Sequence, residues 1–168
     1  MVVEAPLTAA RHPMIHFEGD KHIPRPVAEV AEKLSDAGFL ANAIPDAHVT
    51  EASPDKAVGK IKPAGVSFLT GSLTLTAAVA ARDPGKAVAY YIETKTMGAG
   101  SAVEARLVFE DADGGTRVRW TGDLVSVTGL LKMVPKGLLE GTARKVIDDV
   151  WAAVEARPTA VIQSGGSM

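Results

Sequence analysis

Three turns, each read on its own, turn the apolar residues of four successive segments toward one side of a sheet. Side chains alternate across a strand with a period of two, so a register slip of one residue would send a whole apolar set to the wrong face. With Pro84 and Gly85 as central turn residues, Val79 faces Tyr90, Ala77 faces Ile92 and Leu75 faces Thr94. With Gly98 and Ala99 central, Thr94 faces Val103, Ile92 faces Ala105 and Tyr90 faces Leu107. Asp113-Gly114 is a strong hairpin signal; with it central, Phe109 faces Val118, Leu107 faces Trp120 and Val103 faces Leu124. The other side collects Glu93, Lys95, Glu104, Arg106, Arg117, Arg119 and Asp123, an expected exposed face. The segment from Val66 to Val127 therefore reads as an antiparallel sheet with one greasy and one charged surface.

Such a surface needs a cover, and the stretch from Lys136 to Arg157 is shaped to provide one. Leu139, Ala143, Val146, Ile147, Val150 and Val154 recur at helical spacing, which places them on one stripe. Lys136, Glu140, Arg144, Asp148 and Glu155 supply the solvated side. The helix would run roughly 33 Å. Gly137 and Gly141 are unusual inside it, each costing about 1 kcal/mol relative to Ala. Close approach to the sheet, or a bend at a cavity mouth, is one reading of them, and plain local weakness is the other.

The remaining chain fills in the order. Met1 to Pro13 reads as a loose leader, and Met14 to Ile23 alternates as a first strand. Pro26 opens a short helix carrying Val27, Val30, Ala31 and Leu34. A second, with Phe39, Leu40 and Ile44, stops at Pro45. Strands at Ala47 to Ala52 and Lys56 to Lys62 flank Ser53-Pro54-Asp55. After a Pro63-Ala64-Gly65 turn a long strand runs to Arg82, with Gly71 as a bend. Strands at Ala87 to Met97, Ser101 to Asp111 and Thr116 to Val127 complete the sheet, and Leu130 to Val134 makes a turn of helix. Pro158 to Met168 reads as a flexible tail, leaving residues 14–157 as the folded domain. The expected class is α+β, a curved antiparallel sheet of about seven strands around a long C-terminal helix, with two short helices between strands one and two.

Composition narrows the function classes. A chain of 168 residues can bury a real core as one domain. A net charge of -2, with basic residues spread along the chain, argues against a nucleic-acid footprint. The absence of cysteine removes disulfides and thiolate chemistry and fits a reducing compartment. No apolar run reaches the length of a membrane span. The expected location is the cytoplasm, with a peripheral place on the inner face of the membrane as the second option.

The order of elements resembles the helix-grip fold of the SRPBCC (START/Bet v 1-like) superfamily. Within it the chain is most similar to the CoxG-like family, named for the G-type subunit of carbon monoxide dehydrogenase. The residues that carry the likeness are Phe17-Glu18-Gly19, Ile23-Pro24-Arg25-Pro26, Val30, Leu34-Ser35-Asp36, Leu40 and Ala43-Ile44-Pro45. Gly115-Thr116-Arg117-Val118 and the stretch from Gly141 to Asp149 continue it. Asp46 and Ala31 depart from the family's usual Gly and aromatic residue. The resemblance implies a cavity for a hydrophobic ligand between helix and sheet. Relatives include lipid carriers, aromatic polyketide cyclases and factors acting near molybdenum-containing CO dehydrogenases, where a membrane or quinone role is implied.

Other chemistry finds little support. His16 and His22 share a strand face but lie about 20 Å apart along it, too far for one metal. There is no Gly-x-Ser-x-Gly elbow. Gly98 and Gly100 complete no phosphate fingerprint. Asp148, Asp149 and Glu155 read as solvent-face charges, and no cofactor or metal is expected. What remains is the inward surface: Leu73, Leu75, Tyr90, Ile92, Thr94, Val103, Leu107 and Trp120, closed by Leu139 and Val146 from the helix. Ala77, Ala105 and Gly122 sit near its middle and leave room for a hollow, while ordinary close packing would fill it. Phe39, Leu40, Ile44 and Phe68 would form an apolar mouth, serving ligand passage or docking to an oxidoreductase or membrane. Tyr90 and Thr94 are the expected polar anchors. The expected function is a binding or carrier domain for a lipid- or quinone-like molecule. The alternative is a polyketide cyclase or aromatase-like enzyme using the same cavity, which would need an acid/base residue inside it.

Overall fold

A computed structural model describes residues 14–44, 47–61, 73–96 and 98–167, with side chains as far as Ala156. Strand β1 (Ile15–Ile23) leads into helices α1 (Val27–Leu34) and α2 (Ala37–Ala43). Strands β2 (His48–Ala52), β3 (Lys56–Ile61), β4 (Leu73–Asp83), β5 (Ala87–Thr96), β6 (Ala99–Ala112) and β7 (Gly115–Gly129) follow. A 3-10 turn (Leu130–Met133) then joins β7 to helix α3 (Lys136–Ser167). The seven strands form one sheet in the order β1-β7-β6-β5-β4-β3-β2. This is the expected α+β helix-grip arrangement. Met1 to Pro13, Pro45, the Pro63-Ala64-Gly65 turn, Phe68 and Gly71 lie outside the described residues.

The first strand pairs with the last, so α1 and α2 must carry the chain from one edge of the sheet to the other. They are held there by side chains from the sheet. The final carbonyls of a helix lack intrahelical partners, and here strand residues supply them. The Tyr90 hydroxyl donates to Leu34 O at 2.7 Å, and Arg82 Nη2 donates to Ser35 O at 2.9 Å. Arg82 Nη2 also donates to Pro54 O, and its Nη1 to Asp55 Oδ1, both at 2.9 Å. Thr116 Oγ1 donates to Arg25 O at 2.7 Å just ahead of α1. Asp36 caps α2 by accepting from Phe39 N at 3.2 Å. Val30, Ala31 and Leu34 are buried beneath.

The register bears out the expected strand pairings around the two outer turns and corrects the middle one. The first turn itself spans Pro84 to Lys86, with Asp83 opposite Ala87, and a bulge between Val79 and Ala81 restores the expected pairs. Val79 pairs with Tyr90, Ala77 with Ile92 and Leu75 with Thr94, and Leu107 pairs with Trp120. Asp113 and Gly114 both have positive φ, as a two-residue hairpin turn of this type needs. Between β5 and β6, however, Thr94 faces Ser101, Ile92 faces Val103 and Tyr90 faces Ala105. Thr96 already pairs with Ala99, and Gly98, with φ of 83°, ends the connection instead of starting it. The slip is two residues, which preserves the face of every side chain. Gly129 is required where β7 leaves the sheet, because a Cβ there would lie 1.9 Å from Gly98 O.

The charged face is not uniformly solvated. Glu104, expected exposed, is only 8% accessible at a central-strand position between Tyr91 and Asp123. Arg117 and Asp20 at 2.6 Å, and Arg119 and Glu110 at 3.0 Å, pair on its exposed part.

Helix α3 presents a stripe slightly rotated from the expected one. Ile147, Val150 and Val154 pack inward with Trp151, which is buried and was not among the expected stripe residues. Val146, expected to face the ligand, is 39% exposed. It lies about 100° around the helix from Ile147, so a stripe centred on Ile147 and Trp151 carries it to the flank. The helix also continues to Ser167, past the Pro158 at which a tail was expected. A proline inside a helix loses the bond to the carbonyl four residues back and crowds that carbonyl with its ring, at a cost of about 3 kcal/mol, which is why the sequence alone points to an end there.

A Cβ at Gly137 or Gly141 would meet nothing within 4 Å, which decides for local weakness over close approach. Gly141→Ala is therefore expected to stabilise the protein by about 0.5–1 kcal/mol, read as a raised midpoint of thermal unfolding; an unchanged or lower midpoint would contradict this.

Candidate functional site

The inward face of the sheet is built in lateral rows. One runs Val79, Tyr90, Ala105, Gly122 and Phe17 across β4, β5, β6, β7 and β1. The next toward the open end runs Ala77, Ile92, Val103, Leu124 and Ile15. On the other side lies the row Val88, Leu107, Trp120 and Gly19. The centre of the face is thus furnished with small residues, Ala105 and Gly122, beside one very large residue, Trp120.

These rows do not collapse into one core. A first cluster gathers Tyr90, Leu107, Phe109 and Val118 with α1, α2 and the α3 residues Trp151 and Val154. A second gathers Ile15, Phe17, Ala99, Leu124, Val127 and Leu131. Trp120 and Ile147 pack against both. Between the clusters, Ile92, Val103, Ala105 and Trp120 from the sheet, and Ala143, Ile147 and Val150 from α3, keep part of their surface accessible. A sheet and helix packed to native density would shut these mid-face positions. Helix α3 comes closest to α2 and β1, not to the central strands. The result is a partly open apolar seam between sheet and helix.

The expected site residues divide accordingly. Ile92, Val103, Trp120 and Leu139 lie along the seam, half-buried. Phe39 and Leu40 of α2 are half-buried against the first cluster, with Lys33 Nζ 5.9 Å from the Phe39 ring centroid. Leu73, Leu75 and Leu107 are buried. Phe68 lies outside the described residues, and Val146 is on the flank of α3. Trp151, meeting Trp120 at a centroid distance of 6.1 Å, is a site residue absent from the expected set. Its position four residues after Ile147 and three before Val154 was the signal that could have found it.

Neither expected polar anchor stands free in the seam. Tyr90 has no accessible surface, and its hydroxyl is committed to the Leu34 carbonyl. Burial pushes its phenol above the ordinary tyrosine range; the charge of Arg82 opposes this and that of Asp36 adds to it. Thr94 Oγ1 shares a 2.6 Å hydrogen bond with Ser101 Oγ. That pair lines a groove of about 300 Å³ at the end of β5–β7, together with Thr96 and Ala99 of the inward face and outer-face residues such as Tyr91, Glu93 and Lys95. The groove is of mixed polarity and borders the second cluster through Ala99.

Among the described residues no three His, Asp or Glu side chains form a group able to hold a metal. His16 bonds through Nδ1 to Asp123 and through Nε2 to Glu18 at 2.9 Å. The Glu18 bond, then the Asp123 bond, raise its pKa, while desolvation opposes them. His22 instead bonds to Ala112 O at 3.1 Å.

A helix gripping an apolar, partly open sheet face is the helix-grip fold that START and Bet v 1-like structures share. The chain belongs to the CoxG family, that of the carbon monoxide dehydrogenase G-type subunit, whose sequence profile matches residues 19–157. Among solved structures it is similar to a conserved protein of Geobacillus kaustophilus, with a TM-score of 0.73 at 17% identity, covering 85% of this chain and 94% of that one. It is also similar to a START superfamily protein of Mycobacterium smegmatis (TM-score 0.62, 13% identity, 87% and 98% coverage). A third likeness is to the Zhui aromatase/cyclase of Streptomyces sp. R1128 (TM-score 0.64, 18% identity, 90% and 98% coverage). At these identities the likenesses establish the fold. No curated protein matches the chain.

Tyr90→Phe separates a structural anchor from a ligand contact. Leaving the buried Leu34 carbonyl unpaired is expected to cost about 1–3 kcal/mol of stability with little change in affinity for apolar probes. Unchanged thermal stability together with lost probe binding would reverse the assignment.

Proposed function

We propose that this protein binds an apolar or amphipathic small molecule, lipid- or quinone-like, between the sheet and α3. It acts as a carrier or accessory factor for a CO dehydrogenase-type oxidoreductase. The observation that carries this is the half-buried apolar seam between two separately packed clusters, on the inward face of a CoxG-family fold. Burying on the order of 300 Å² of ligand surface would contribute roughly 7 kcal/mol before ordering costs, enough for useful affinity without a charged anchor. The cyclase alternative has less support. Its acid/base group would be Tyr90, whose hydroxyl is shut in the core and bonded to backbone.

Titration with N-phenyl-1-naphthylamine, whose fluorescence rises in apolar surroundings, tests the reading. The protein is expected to bind it, and Ala105→Phe, which fills the middle of the seam, is expected to weaken binding by about tenfold or more, the effect of 1.4 kcal/mol. No fluorescence rise, together with no co-purifying apolar molecule in native mass spectrometry, would overturn it.

A membrane contact is favoured by a second observation. The connection from β7 into α3 exposes Leu130 (62%), Met133 (81%) and Leu138 (50%), interspersed with Lys132 and Lys136. Apolar side chains among lysines suit an anionic bilayer surface, although no helix among the described residues is long and apolar enough to cross one. Co-sedimentation with vesicles containing phosphatidylglycerol is expected, and the double variant Lys132→Glu with Lys136→Glu should abolish it. Absence of wild-type binding to these vesicles would remove this reading.

A further inference from the structure

Trp120 holds a donor with no acceptor. Its Nε1 is closed off from solvent and has no hydrogen-bond partner among the described residues. Buried indole N–H groups usually find one, so the exception asks for a cause. The ring lies in space left by two missing side chains. A Cβ at Gly19 would sit 3.1 Å from Trp120 Nε1 and Cζ2, and one at Gly122 would sit 4.0 Å from Cζ3. Trp151 of α3 stands 6.1 Å away, tilted by 39°. Trp120 is also the sheet residue that packs against both clusters, at the point where the seam divides them.

The margin between β1 and α3 is thin at this point. Gly19 is exposed and offers no side chain to bridge to the helix. Its neighbours on the same face do bridge: Arg144 Cζ lies 4.9 Å from the Phe17 ring centroid, and Lys21 Nζ lies 3.8 Å from Glu155 Oε2. Both cations are thereby engaged, one on a ring and one on a carboxylate. The group left unanswered is a neutral N–H.

Resting on the apolar-ligand reading above, we propose that Trp120 Nε1 orients the ligand by donating to a neutral oxygen on it, a ketone, ester carbonyl or hydroxyl. The Nε1 edge of the ring lies against Gly19, so the ligand's oxygen meets it where the margin between β1 and α3 parts at that residue, which has no side chain to block the approach. The ligand class is then an apolar body carrying an uncharged oxygen acceptor, not a plain hydrocarbon.

Displacement of bound N-phenyl-1-naphthylamine by 2-undecanone and by undecane tests the assignment, since these differ chiefly in one acceptor. The ratio of the two affinities is expected to shift about fivefold against the ketone in Trp120→Phe, the effect of one net hydrogen bond, and to stay unchanged in Gly141→Ala, which touches neither wall of the seam. In wild-type protein, one of the two indole N–H proton resonances should move downfield with the ketone and not with undecane. Trp151→Phe identifies which resonance remains. Probe binding with an unshifted ratio, or with no indole response, overturns the role of Trp120 and leaves the apolar-ligand reading standing. Failure of the wild-type protein to bind the probe at all overturns both.

Discussion

One helix is too narrow to cover seven strands. Six inter-strand spacings of about 4.8 Å make the sheet roughly 29 Å wide, whereas a helix with its side chains is only about 10 Å across. Curling the sheet reduces the mismatch without removing it. The apolar face must be closed by something else as well, or remain partly open. Here α1 and α2 close one end, the turn from Leu130 closes part of the other, and α3 lies between. The two clusters and the seam between them follow from that division.

The closed end owes its position to polar contacts. Tyr90, Arg82 and Thr116 reach from the strands to backbone carbonyls at Leu34, Ser35 and Arg25. Apolar burial alone would let two short helices slide over a greasy surface, since it has no direction. Hydrogen bonds to chosen carbonyls fix them. The same contacts withdraw Tyr90 from the seam, so an inward-pointing phenol becomes part of the frame. Among the described residues the seam is left with apolar walls and one buried donor, Trp120 Nε1, without a partner.

The outer face contributes little to this. Its ion pairs, such as Arg117 with Asp20 and Arg119 with Glu110, are exposed, and exposed pairs are typically worth at most about 1 kcal/mol. They keep the surface solvated while the inward face is specialised.

Strand alternation, turn residues and helical periodicity are local properties, and they alone determined the sheet, its inward set and the closing helix. Even the misjudged middle turn kept every side chain on its proper face, because its slip was an even number of residues. Other features depend on partners distant in sequence. Whether Tyr90 faces a ligand or a carbonyl was decided by where Leu34 came to rest. The choice of Trp151 over Val146 for the interior was decided by the rotation of α3 against the sheet. The unpaired Trp120 donor arises because β1 offers it a glycine across the strand gap. A sequence pattern states which side a residue takes, but contacts between separate segments set what it meets there, and those exist only once the chain has closed on itself.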